Sequence, residues 1–218
     1  THTFTPGDLN GKSLTVQFGR PDEGGTVRPM TYLGTKITAA QLAATVNDYV
    51  QLTLSLYAQQ EDNAQALAVA SYPAGLSPFT FVHGALTVAA AAFDVEDVTL
   101  SIDNGLATDR HRLRTNAERP KEPLMADLLS VTGTATVDFT DLTAYNRYVN
   151  GTEAAMVLDF NAGASARLTI TMNVRFDGDT PNVEGAELLT MDMPFKAVSG
   201  TSDAAMITAV LINGDSAP

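Results

Sequence analysis

Three short patterns in this chain hold residue types that could do chemistry. Asp109-Arg110-His111 sets a carboxylate two residues from an imidazole, the pairing with which a hydrolase activates a nucleophile. No nucleophile on a recognisable strand-to-helix elbow accompanies it, and a histidine flanked by arginines reads as a surface residue. Asn10-Gly11-Lys12-Ser13 ends like a phosphate-binding loop, but the first glycine of that pattern falls on Pro6, and the segment opens a strand rather than a helix. Carboxylates at Asp22-Glu23, at Glu96-Asp97 and at Asp177 and Asp179 offer the hard oxygen ligands calcium takes, without the ligand spacing of a known loop. Each reads as a solvated turn. His83, between Val82 and Gly84, reads as a packed imidazole in an apolar strand, with no metal-ligating partner at a standard offset. The chain has no cysteine, which excludes disulfides, thiolate metal sites, iron–sulfur clusters and a cysteine nucleophile. These residues point away from an enzyme, and neither a metal nor a cofactor is expected.

The chain of 218 residues is 44% apolar and 17% charged, enough to build a core and too little charge for disorder. Its length suits one domain, residues 1–218, ordinary for an all-β fold. A formal net charge of −12 argues against a surface built to grip phosphates. No apolar stretch is long enough to span a bilayer, and Thr1 to Leu14 lacks the basic start and apolar run of a secretory signal. The chain reads as folded in a cytoplasm, without a membrane partner.

The elements that must position any site are strands. Apolar and polar residues alternate with period two over Leu14 to Phe18, Val50 to Leu56, Val98 to Ile102, Val131 to Phe139, Met156 to Phe160, Leu168 to Val174 and Met191 to Phe195, each predicting a strand with one buried face. A last strand is expected over about 204–212. One helix is predicted over 141–150: Leu142, Tyr145, Tyr148 and Val149 recur at three- and four-residue spacing, Thr140 or Asp141 can cap the start, and Asn150-Gly151 supplies a left-handed stop. Three turns would pack a tyrosine face on a sheet. The alanine-rich stretch Thr38 to Asn47 gives a second, weaker helical signal. The fold expected is mainly β, two packed antiparallel sheets with one flanking helix.

The segment 103–127 departs from this pattern. It holds Asn104-Gly105, Pro120, Pro123 and five of the thirteen cationic residues: Arg110, Arg112, Arg114, Arg119 and Lys121. A loop this long is functional or solvated, and a cationic loop on an anionic body is suited to reaching a second copy of that body.

The order and spacing of several runs resemble the tail tube (major tail) proteins of tailed phages. They are Leu14 to Gly19, Thr31 to Gly34, Phe93 to Leu106, Gly133 to Phe139, the helix and its stop over Asp141 to Thr152, and the strand Met156 to Phe160. The likeness covers nearly the whole chain and is weakest from Ala58 to Ala74. The resemblance implies a structural virion subunit that forms stacked hexameric rings around a channel for genome ejection. It also implies tape-measure, terminator and distal tail proteins as neighbours, and DNA that passes without specific binding.

Within that resemblance, the polar rows Thr132, Thr134, Thr136 and Asp138, Thr99 and Ser101, and Thr169, Thr171 and Asn173 are candidates to line a neutral to acidic channel, since short side chains offer no stacking platform or phosphate-binding row. The five cations of the excursion are candidates for contacts with a neighbouring subunit, and the resemblance implies that the excursion is an assembly arm, so that a subunit lacking 106–124 folds but does not polymerise. A non-contractile tail is favoured over the inner tube of a contractile device. A carbohydrate-binding virion sandwich is a further alternative, disfavoured by the absence of tryptophan.

Overall fold

A computed structural model describes residues 1–71, 77–113, 119–138, 142–177, 190–199 and 205–214. In chain order its strands are β1 (His2–Phe4), β2 (Leu14–Pro21), β3 (Val27–Thr45), β4 (Gln51–Tyr57), β5 (Gln60–Asp62), β6 (Gly84–Val88), β7 (Ala91–Phe93), β8 (Val95–Asp103), β9 (Leu106–Ala107), β10 (Leu124–Met125), β11 (Ser130–Asp138), β12 (Ala154–Asn161), β13 (Arg167–Phe176), β14 (Thr190–Val198) and β15 (Ile207–Ile212). The helix α1 (Thr143–Val149) lies between β11 and β12.

Thirteen strands form one antiparallel sheet in the order β2-β3-β8-β11-β14-β13-β12-β6-β7, with β4 and β5 on β3, β15 on β13 and β1 on β15. The sheet curls into a half-barrel, and β9 and β10 make a second, small sheet. The packed layers expected from the sequence are thus supplied mostly by one hydrogen-bonded surface closing around its own apolar side. β13 shows where it turns: residues 173–176 pair with β14, whereas 167–172 pair with β15.

Period-two alternation fills the inside. Val98 and Leu100 of β8, Val131, Ala135 and Val137 of β11, Met191, Met193 and Phe195 of β14, Ile170, Met172 and Val174 of β13 and Met156, Leu158 and Phe160 of β12 join one buried cluster. Each of these side chains larger than alanine contributes about 1.5–3 kcal/mol when removed from water. Gly133 lies on this inner side of β11, between Val131 and Ala135. A Cβ there would come 2.2 Å from the Thr99 carbonyl oxygen and 2.3 Å from the Phe195 ring, which fills the space a side chain would need. Gly133→Ala is expected to cost about 2 kcal/mol through overpacking, read as a drop of roughly 4–8 °C in melting temperature; an unchanged melting temperature would show that Phe195 can step aside.

Several expectations are corrected. The segment 38–47 is no helix: residues 38–45 are the second half of β3, held between β8 and β4 with Leu42 and Ala44 turned to the core, and Val46 and Asn47 form the turn that follows. Alanine's helix preference, a few tenths of a kcal/mol per residue, is outweighed by two flanking ladders. Helix α1 has two turns rather than three. Its stop is as read, with Gly151 at φ 58° and its N–H on the Tyr148 carbonyl at 3.0 Å, and Tyr148 packs on the core. The capping candidates Thr140 and Asp141 lie outside the described residues. So do Phe139 and Ala204, and β15 begins at Ile207. His83 sits in a single 3₁₀ turn (Phe81–His83), not a strand, its ring edge-on to Phe79 and Nδ1 accepting the Thr80 N–H. Finally, the apolar faces of β2 and β4 are not buried: Leu14 is 50% exposed, Phe18 49% and Leu52 62%.

Candidate functional site

Side chains on a strand alternate between faces, so the residues between the core positions of β8, β11 and β14 project from the opposite, outer face. Pairing aligns them in rows: Gln41, Ser101, Thr132 and Lys196 in one; Ala43, Thr99, Thr134 and Pro194 in the next; Thr45, Asp97, Thr136 and Asp192 in the third. Six candidates, Thr99, Ser101, Thr132, Thr134, Thr136 and Asp138, therefore share one continuous strip, exposed or half-buried. The Thr136 hydroxyl donates to the Asp192 carboxylate at 2.8 Å.

The strip is not neutral to acidic throughout. One end carries Asp97, Asp138 and Asp192; at the other, Lys196 lies directly opposite Arg175 of β13, both exposed. Sequence alone missed this contrast, because the alternation of β14 shows Lys196 on the polar side but not which residues stand beside it.

The remaining three candidates form a separate group. Thr169 and Thr171 lie on the part of β13 that has left β14 for β15, and Asn173 sits at the turn. Thr169 is also engaged locally: its hydroxyl donates to the Asp159 carboxylate at 2.6 Å, and Arg167 Nε donates to the same oxygen at 2.8 Å. Partial burial pushes the Asp159 carboxyl up, but these two donors outweigh it and hold the group below its ordinary 3.8, while the same pair raises Arg167.

The described parts of the excursion, 103–113 and 119–127, are fastened to the body of the subunit. Its root is the β9–β10 ladder, and the Ala126 N–H reaches the Gly105 carbonyl at 2.9 Å. Further out, Lys36 of β3 is buried, 3% of its side chain exposed, and its Nζ donates to the Leu9 carbonyl at 2.7 Å, the Glu122 carboxylate at 2.6 Å and the Pro123 carbonyl at 2.8 Å. One ammonium thereby joins the sheet, the N-terminal segment and the arm. The Gly11 N–H donates to the same Glu122 oxygen at 2.7 Å. No sequence signal marks Lys36, a lone cation between Thr35 and Ile37.

Hydrogen bonding by Lys36, then by the Gly11 N–H, holds the Glu122 carboxyl below its ordinary 4.5. A depressed folded value stabilises the native state above the unfolded value, and that stabilisation is lost as pH falls through the folded one. The melting temperature is therefore expected to fall as pH is lowered through 4.5 and beyond, and Glu122→Gln should lower it at neutral pH while flattening this acid dependence; equal slopes in both proteins would show that Glu122 does not report the fastening.

Of the five arm cations, Arg110, Arg119 and Lys121 line one open cavity of about 540 Å³ with Asn10, Gln59 and Glu122. Arg110 is held there by donating to the Glu122 carbonyl, and Gln59 donates to the Pro120 carbonyl at 3.2 Å. Arg112 is exposed and donates to its neighbour's carbonyl, that of His111. Arg114 lies outside the described residues.

The patterns with chemical potential resolve into local structure. Asp22 accepts from the Thr26 N–H and pairs with Arg28 at 2.9 Å, closing its own turn. His111 meets Asp109 through the backbone, N–H to carbonyl at 2.8 Å. Asp179 lies outside the described residues. Among the described residues no cluster of three or more histidines and carboxylates could hold a metal, and no helix is long and apolar enough to cross a membrane.

What these elements define is a β-scaffold subunit: a curled antiparallel sheet with a polar strip on its outer face and a cationic arm pinned beside one end. A family model for phage tail tube proteins matches residues 3–197, and the chain belongs to that family. It is a structural component of a bacteriophage virion, and self-assembly together with other tail components is the family's mode of action. No curated protein matches the chain.

Proposed function

We propose that six copies of this single-domain subunit, residues 1–218, close into a ring, that rings stack into the shaft of a non-contractile tail, and that the strip on β8 and β11 lines the bore through which the genome leaves. The observation that carries this reading is the strip itself. Thr99, Ser101, Thr132, Thr134 and Thr136 are short hydroxyl side chains on adjoining strands, backed by the buried apolar cluster. Hydroxyl rows of this kind present neither aromatic platforms nor a row of cations to a passing strand.

Four strands from each copy, β3, β8, β11 and β14, tilted as in closed sheets, give a backbone diameter of about 50 Å, and about 60 Å if β4 is a fifth. Either admits a DNA duplex. Thr169 and Thr171, past the turn in β13, then face away from the bore, and Asn173, still paired with β14, stands at its margin. The arm cations Arg110, Arg112, Arg114, Arg119 and Lys121 meet carboxylates of a neighbouring copy, and tape-measure, terminator and distal tail proteins contact the inside and the two ends. Subunits assemble in the host cytoplasm.

Negative-stain electron microscopy of the purified protein, with tail-tip initiator supplied, tests this directly. Rods with a central dark line and six-fold end views are expected; a monomer that stays dispersed with initiator present, or a shaft enclosed by a sheath in the virion, removes the corresponding part of the proposal.

A further inference from the structure

β4 is a border strand: among the described residues no second strand pairs with its outer edge, and the segment 79–81 pairs only with residues 48–50 just before it. It hydrogen-bonds to β3 alone among the described residues. Natural edge strands avoid open-ended pairing by charge, proline, bulges or brevity, yet β4 is seven residues long with neither charge nor proline, its one register shift lies near its end, where Ile37 and Ala39 of β3 face Leu56 and Ser55, and Asp48 is the one charged residue from Ile37 to Tyr57. Leu52, Leu54 and Leu56 form one face of it, 62%, 43% and 43% exposed. Three consecutive inward leucines of a strand are a face selected for burial, and the subunit by itself leaves them in water.

The other face fixes where the missing cover lies. Thr53 is paired with Gln41 and Gln51 with Ala43, so the polar side of β4 continues the strip of β8 and β11, and the leucines lie on the opposite, core side of the sheet. A border strand so placed points around the circumference of a ring, and in a shaft built of one repeated chain the surface met there on every subunit is another copy. We propose that the Leu52, Leu54 and Leu56 face and free edge of β4 are covered by the laterally adjacent copy of this chain, making β4 the seam between subunits. This inference rests on the tube reading and adds to it which strand forms the lateral contact.

The test separates folding from assembly. Because the leucines are exposed in the subunit, Leu52→Lys with Leu54→Lys should leave the monomer's circular dichroism and melting temperature unchanged, cut its binding of the apolar dye ANS severalfold, and raise the protein concentration needed for tubes more than tenfold. Thr53→Lys, a lysine on the same strand but the other face, should assemble like the wild type. Should the double variant lose its β spectrum, Leu52→Ser alone takes its place. Tubes from the double variant at the wild-type concentration would overturn the seam while leaving the tube reading intact. If the wild type forms no tubes, the tube reading fails; sedimentation then decides the seam, which stands if the wild type self-associates and the variant does not, and falls if both are monomers with equal dye binding.

Discussion

Virions carrying Thr132→Lys with Thr134→Lys in the tube protein should assemble normally and yet lose more than tenfold in infectivity. The neighbours of each position decide this choice. Thr134 stands between Thr99 and Pro194, with no carboxylate opposite, and Thr132 between Ser101 and Lys196, where a new cation adds to one already there. Every ring would then present two added rows of positive charge to a polyanion, and phosphate contacts that release counterions hold DNA in proportion to their number. Thr136→Lys is the informative contrast. Its neighbours Asp97 and Asp192 would pair with the new ammonium and spend its charge, so infectivity there should stay close to wild type. The measurement is plaque titre together with the rate of DNA release triggered in vitro, at stated salt. Full infectivity from intact tubes bearing lysine at 132 and 134 would mean that this strip does not line the bore.

The second large effect concerns the arm. Deleting 106–124 removes Glu122 and Pro123, two of the three acceptors that surround the buried Lys36 ammonium. The arm is therefore not dispensable to the fold, contrary to what its polar, proline-bearing sequence suggests. Stranding a buried charge costs on the order of 3–5 kcal/mol, and the lower end applies here because Glu122 itself is a third exposed. For a chain of this size about 3 kcal/mol corresponds to a melting temperature roughly 10 °C lower. Lys36→Met then discriminates between causes: in the intact chain it should destabilise, by leaving the two carbonyls and Glu122 without their donor, whereas in the deleted chain it should recover stability by removing the stranded charge. Loss without recovery would place the effect in the β9–β10 ladder instead.

The strand reading succeeded where its cause is local. Pleating fixes a two-residue repeat whatever the neighbours are, so Val98 to Ile102, Met156 to Phe160 and Met191 to Phe195 declared both their conformation and which side of them is apolar. Gly151 ended α1 as expected because a left-handed residue is a property of one backbone position. The polar rows were legible for the same reason, and the six on β8 and β11 do share a face.

What the chain could not declare is adjacency. Whether Ala39 to Ala44 is helix or strand depends on β4 and β8 lying on either side. Whether Thr134 has a carboxylate opposite it, whether Lys36 is buried, and whether β13 stays with β14 or turns to β15 are likewise settled by residues tens of positions away. Alternation is a short-range consequence of backbone geometry and survives in the sequence; pairing partners, depth of burial and the bareness of Leu52, Leu54 and Leu56 arise only when the sheet has curled, because each depends on what distant chain segments happen to stand alongside.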